Sequence, residues 1–141
     1  MTKSPEQPKP AWINFIAAIA LIFGAMTLFL GGSVLFIDGQ ARVDAGNYVP
    51  LIVWFNFIAG FFYIAAGMGI FRWQKWGLTL SRTILVVTVI AFIGLAGHIV
   101  TGGSFEMRTV IAMALRSFVW LAISFVVGAA WNKSMQDHAS P

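Results

Sequence analysis

Four long runs of apolar residues, separated by short polar segments, dominate the chain. They cover residues 12–37, 51–71, 78–100 and 107–130. Each run exceeds the roughly 20 residues that a helix needs to cross a bilayer, and none alternates as a barrel strand does. Because spanning backbone must satisfy its own hydrogen bonds, the runs are predicted to be transmembrane helices. Short connections favour antiparallel neighbours, so the predicted fold is an all-α integral membrane protein with an up-down four-helix bundle.

The two ends of the chain are predicted to be tails. Residues 1–11 contain three prolines and two lysines, and we expect them to form a disordered cytoplasmic tail. Residues 132–141 are polar and are expected to form a second, short cytoplasmic tail. The transmembrane domain is therefore predicted to cover residues 12–131.

Charge determines the predicted orientation. Of the 141 residues, 59% are hydrophobic and only 10% are charged, against about 25% charged in soluble domains. Six of the basic residues fall in the tails, in the second connection or beside it: Lys3, Lys9, Arg72, Lys75, Arg82 and Lys133. The positive-inside rule then places both termini in the cytoplasm, and the expected location is a bacterial inner membrane. The net charge of +4 is therefore interpreted as a topology signal, and no nucleic-acid partner is expected.

One arginine lies inside the fourth run. Arg116 follows Arg108 by eight residues, which is ~12 Å along a helix. A guanidinium at that depth costs roughly 2.5–3.5 kcal/mol on insertion scales, so Arg116 should face protein or water and not lipid tails.

Other polar residues lie towards the same, outer side of the predicted bundle. Asn56 is ~9 Å beyond Pro50 along the second helix, and His98 is near the outer end of the third. We predict an outward-facing polar pocket, with these lining residues: Arg116, Asn56, Tyr63, His98 and Trp120. Its mouth is predicted to carry these charges: Asp38, Asp44, Glu106 and Arg108.

Arg116 has two interpretations. Its forked donors suit the oxygens of an anionic ligand, a lipid headgroup or a quinone. Alternatively, it forms an internal ion pair with Asp38 or Glu106 that fixes the register of the helices. Glu106 has a further candidate role, because it starts the fourth helix, where the helix dipole favours a capping carboxylate.

His98 suggests metal or haem chemistry, but the rest of the sequence gives little support. The other histidine, His138, lies in the opposite tail, which argues against a bis-histidine haem. A copper or zinc site with a nearby carboxylate is chemically allowed, yet no ligand spacing supports one and the chain has no cysteine. We expect no metal and no cofactor, and a hydrogen bond from His98 to a neighbouring carbonyl.

The sequence predicts a binding or accessory role more readily than catalysis. It contains no HExxH, no glycine-rich phosphate loop and no Ser-His-Asp order, so no catalytic residue is assigned and an enzyme is not expected. The predicted function is a small accessory, assembly or ligand-binding membrane subunit, in contact with lipid and with a membrane-protein partner or a second copy as candidate partners.

The alternative is an oligomeric transporter or channel for an anion or small solute. Four helices enclose little pore volume alone, so this alternative needs a subunit interface. The small-residue stripes that include Gly24 and Gly31 in the first helix, and Gly60 and Gly67 in the second, are candidates for it.

Overall fold

The computed structural model describes residues 8–140, and helices account for most of them. These are α1 (Ile13–Phe36), α2 (Gln40–Ala45), α3 (Pro50–Phe71), α4 (Lys75–Val100) and α5 (Met107–Ala139). No strand occurs among the described residues, and α1, α3, α4 and α5 are each long and apolar enough to cross a membrane. The predicted all-α four-helix architecture is confirmed, and the chain is a multi-pass membrane protein. Residues 1–7 of the predicted N-terminal tail lie outside the described part.

Contacts between distant segments show the up-down arrangement. α1 packs most extensively on α3, α3 packs on α4, and α4 packs on α5. Lys9 Nζ donates a hydrogen bond to the carbonyl of Phe71 at the end of α3, and the Ser134 hydroxyl lies 3.5 Å from the Pro8 carbonyl. We call this end of the bundle, with both tails and the α3–α4 turn, the basic end. The opposite end carries α2 and the α4–α5 loop, and we call it the α2 end.

Glycines bring α1 against the backbone of α3. A Cβ at Gly24 would lie 2.8 Å from Ile64 Cγ1 and 3.1 Å from the Gly60 carbonyl oxygen, and one at Gly60 would lie 2.8 Å from Leu28 Cγ. Gly67 meets α1 equally closely. Small residues permit this approach between membrane helices. The glycines considered for a subunit interface therefore pack against a neighbouring helix of the same chain.

A tight turn joins α3 to α4. The N–H of Trp73 donates to the Ile70 carbonyl and that of Gln74 to the Gly69 carbonyl, both over 2.9 Å, which is the Schellman arrangement. Trp73 occupies the position that usually holds glycine, with φ 52°, at a backbone cost of about 1–2 kcal/mol. Packing of its buried ring on Trp131, with centroids 5.1 Å apart, offsets that cost.

The ends of the helices differ from the predicted boundaries. α2 was not predicted, and α5 continues nine residues past position 130. At 33 residues α5 is ~50 Å long, longer than the ~30 Å hydrocarbon core. The apolar run predicted only the part of α5 that can lie within lipid. The helix continues beyond this run because polar residues also form helix in water.

We expect Gly77→Ala to destabilise the bundle strongly. A Cβ at Gly77 would lie 2.5 Å from the Gly69 carbonyl carbon and 2.7 Å from the Ile70 nitrogen, which are backbone atoms that cannot rotate away. Overpacking of this kind typically costs about 1–3 kcal/mol. Unfolding in mixed micelles, followed by circular dichroism, measures the loss.

Gly97→Ala is the matched control, since it lies in the same helix and no neighbouring atom among residues 8–140 is within 4 Å of its added Cβ. It should be neutral or slightly stabilising, because alanine favours a helix over glycine. Equal stabilities for the two variants would contradict the backbone contact between α3 and α4.

Candidate functional site

A cavity of about 540 Å³ opens among α1, α2, α3 and α5 at the α2 end. It separates α1 from α5, two helices that make no extensive backbone contact. Its polar lining residues are Thr27, Ser33, Asp44, Tyr48, Asn56, Arg108, Thr109 and Arg116. The remaining wall is apolar and includes Phe29, Leu30, Val34 and Val53.

Arg116 and Asn56 line this cavity, and each has a buried polar atom without a hydrogen-bond partner in the described part of the chain. Arg116 is half-buried on α5, and its Nε has no hydrogen-bond partner among the described residues. Asn56 is 9% exposed on α3, and its Oδ1 is likewise without a partner. The sequence placed both residues in one pocket, and both line this cavity. A buried donor and a buried acceptor without protein partners are unusual, because such groups are costly to desolvate.

Within residues 8–140, Arg116 forms no ion pair with Asp38 or Glu106, so the structure gives no support to the second of its two interpretations. Asp38 lies 3.6 Å from Arg42 Nη1 and is 94% exposed. Glu106 Oε1 accepts a hydrogen bond of 2.8 Å from the backbone N–H of Asn47. Arg42 follows Asp38 by four residues, so the Asp38 carboxylate has a basic partner close by in the sequence and does not contact Arg116 on α5.

The charges at the cavity wall do not neutralise each other. Asp44 and Arg108 line the cavity, but their contact is a long hydrogen bond of 3.4 Å from Arg108 Nη1 to the Asp44 backbone carbonyl. The Asp44 carboxylate instead accepts from Gln40 Nε2 over 2.7 Å. The lining therefore has two guanidinium groups, those of Arg108 and Arg116, and one carboxylate. Asp38 and Glu106, predicted at the mouth, are not among the lining residues.

Glu106 connects two loops and does not cap its own helix. It occupies the N-cap position of α5, but no side-chain capping hydrogen bond forms. Its carboxylate lies over the α2–α3 connection, where it accepts from Asn47 and contacts Gly46, which has φ 58°. Glu106 thus does not take the capping role expected from the sequence, and its carboxylate instead joins the two loops of the α2 end through a hydrogen bond.

Tyr63 and Trp120 lie deeper than the cavity and do not line it. Both side chains are 0% exposed, and their ring centroids are 4.9 Å apart. Tyr63 is ~20 Å along α3 from Pro50, about twice the depth of Asn56. Thr88 of α4 faces the Tyr63 hydroxyl. We call Tyr63, Thr88 and Trp120 the buried polar layer; none of their three side-chain polar atoms has a well-formed hydrogen bond among residues 8–140.

His98 lies outside the cavity. Its side chain is exposed near the end of α4, and Nε2 is 3.0 Å from the carbonyl oxygen of Ser104. The ring lies over Gly103, which leaves no room for a side chain at that position. Within residues 8–140, no three His, Asp or Glu side chains converge as a metal site would require.

α2 and Arg42 were missed by the sequence analysis. Arg42 Nε donates to the Val34 carbonyl over 3.0 Å, and Nη2 donates to that of Leu35 over 2.9 Å. These are carbonyls of the last turn of α1, which have no partner inside the helix. A basic residue shortly after a helix end is a known signal for this role. The helix-compatible run QARVDA between Gly39 and Gly46 was the available signal for α2.

We expect Tyr63→Phe and Thr88→Val to leave stability unchanged or to raise it. Each removes a buried hydroxyl that makes no well-formed hydrogen bond among residues 8–140, and a buried hydroxyl that is poorly bonded costs up to about 1–3 kcal/mol. Unfolding in mixed micelles measures the difference.

Ser81→Ala is the control, because the buried Ser81 hydroxyl donates to the Gly77 carbonyl over 2.8 Å and its removal deletes a formed hydrogen bond. A stability loss for Tyr63→Phe as large as that for Ser81→Ala would show that the Tyr63 hydroxyl forms a stabilising hydrogen bond. That result would contradict the lack of well-formed hydrogen bonds in the buried polar layer.

Comparison of the chain with protein-family models, with curated proteins and with solved structures finds no match to any of the three.

Proposed function

We propose that the protein is a non-catalytic, ligand-binding protein of the bacterial inner membrane, which holds an amphipathic anion in the cavity at the α2 end. The observation that carries the proposal is Arg116. Arg116 lies within the transmembrane helix α5 and lines the cavity. No ion pair within residues 8–140 neutralises its positive charge. Charged groups at membrane depth are expensive and are typical of functional sites.

Basic residues support the proposed orientation. Lys9, Arg72, Lys75 and Lys133 are at the basic end, so the positive-inside rule directs this end to the cytoplasm. The cavity then opens towards the outer side of the membrane.

The lining supports an anionic head joined to an apolar body. Arg108 and Arg116 outnumber the single lining carboxylate of Asp44, and guanidinium groups bind phosphate and carboxylate oxygens in a bidentate manner. Phe29 and Leu30 contribute to the wall and are 73% and 55% exposed on the outer surface of α1, so the cavity reaches the lipid-facing side. A volume of about 540 Å³ falls in the usual range of small-molecule sites.

The oligomeric transporter has less support. Gly24, Gly60 and Gly67 contact neighbouring helices of the same chain, so they supply no argument for a subunit interface. The fully buried rings of Tyr63 and Trp120 lie beneath the cavity, which favours a dead-end pocket over a pathway.

We expect decyl phosphate to raise the melting temperature of the purified protein by several degrees. A ligand at 100 times its Kd stabilises a folded protein by about 2.7 kcal/mol. Decanol, which has the same chain without the anionic head, should produce no comparable shift. The Arg116→Gln variant should lose the response to decyl phosphate, because the amide keeps hydrogen-bonding capacity but not the charge.

Arg72→Gln is the matched control, since it removes one exposed positive charge at the opposite end of the bundle. It should respond as the wild type does. If Arg116→Gln and the wild type are stabilised equally, Arg116 does not bind the anionic head and the proposal is wrong.

A further inference from the structure

A second polar recess lies at the other end of the bundle, between α4 and α5. It comprises two adjoining spaces of about 410 and 390 Å³ that share Arg82 and Asn132. We call the combined feature the α4–α5 groove. Lys75 and Gln136 line the part nearer the helix ends, whereas Leu121 lines the part nearer the membrane centre. The groove is therefore polar at the surface and apolar at depth.

The charge of this groove is uniformly positive. Lys75 and Arg82 line it, and among residues 8–140 no Asp or Glu does. Arg82 is seven residues from Lys75, or ~10 Å deeper along α4. The ion pairing found within residues 8–140 does not include Arg82. A guanidinium at this depth, open to lipid, requires an anion or water for its charge.

Gly128 makes space for the Arg82 guanidinium against α5. A Cβ at Gly128 would lie 3.0 Å from Arg82 Nη2, so the guanidinium rests on bare helix backbone. Asn132 follows Gly128 by four residues on the same helix face, and it lines both parts of the groove. A donor-rich wall thus runs from Arg82 towards the helix ends.

The first turn of α4 adds a further attraction for anions. α4 starts at Lys75, and the N-cap residue Gln74 makes no side-chain capping hydrogen bond. Lys75, Leu78 and Thr79 of this first turn and a half line the groove. The N–H groups at a helix start favour phosphate through the helix dipole.

The depth of the groove matches a lipid phosphate. Trp131 lines it and packs on Trp73 at the basic end, and tryptophan prefers the headgroup level of a membrane. Leu85, Leu121 and Phe125 continue the groove towards the membrane centre, where acyl chains lie. Basic recesses between transmembrane helices at this level suit anionic lipid headgroups.

We propose that the α4–α5 groove binds an anionic phospholipid, with its phosphate between Arg82, Asn132 and Lys75 and its acyl chains along Leu85 and Phe125. This inference is independent of the function proposed for the cavity at the α2 end, because the two features share no residue.

Native mass spectrometry of the full chain, released from vesicles of equal phosphatidylglycerol and phosphatidylcholine, tests the assignment. The wild type should retain phosphatidylglycerol in preference to phosphatidylcholine by about fivefold or more, since one basic residue near the membrane contributes about 1 kcal/mol. Arg82→Gln should reduce the ratio towards one. Gly128→Leu should do the same without any change in charge, because the added side chain occupies the place of the guanidinium.

Lys133→Gln is the matched control, since it removes one exposed positive charge from the same end of α5 without altering the groove lining. It should keep the preference. Equal losses for Arg82→Gln and Lys133→Gln would assign the preference to general surface charge and overturn the proposal, as would a wild type that does not discriminate between the two lipids. If Arg82→Gln does not fold, as judged by circular dichroism, a full preference in folded Gly128→Leu would overturn the proposal by itself.

Discussion

The positive charge of Arg116 inside a transmembrane helix is the constraint on which the arrangement at the α2 end depends. Burying a guanidinium in hydrocarbon has a high free-energy cost. The two carboxylates considered as its ion-pair partners contact other groups: Asp38 contacts Arg42, and Glu106 accepts from the backbone of Asn47. The remaining solution is a polar space within the bundle. α1 and α5 stand apart at this end, and the cavity between them provides that space. The cavity thus gives the Arg116 side chain a partly polar surrounding within the bundle.

Unequal packing keeps the bundle closed on one side and open on the other. α1 and α3 touch through Gly24 and Gly60, and α3 and α4 touch through Gly69 and Gly77 at the turn. In a membrane there is little hydrophobic gain from helix association, so close van der Waals contact stabilises these pairs. α5 has larger residues at its inward positions, including Met113 and Trp120, both 0% exposed. Met113 packs in an apolar cluster with Ile52 of α3 and Leu95 of α4, and Trp120 packs on Tyr63 of α3, so these side chains join α5 to α3 and α4.

The sequence predicted the general features of this structure but not its local pairings. Four apolar runs and short loops suffice for the antiparallel bundle, and depth along a helix brought Arg116 and Asn56 to one cavity. Tyr63 and Trp120 were grouped with Asn56 because their residue types are polar, although they lie a further ~10 Å inward along their helices. The partner of Asp38 could not be predicted, since Arg42 competes locally only once α2 has formed. Glu106 was expected to cap α5, and its contact with Asn47 depends on how two loops meet.

Arg82 and Arg116 both carry a charge that is costly to remove from water, and the two side chains lie in different surroundings. Arg116 is half-buried and lines the cavity at the α2 end, whereas Arg82 is exposed in a groove at the edge of the bundle. Between the two levels, the rings of Tyr63 and Trp120 pack with no exposed surface. Ser124, one helical turn beyond Trp120, lines the groove and not the cavity. Because this buried aromatic pair lies between the two polar spaces, each space opens at its own end of the bundle.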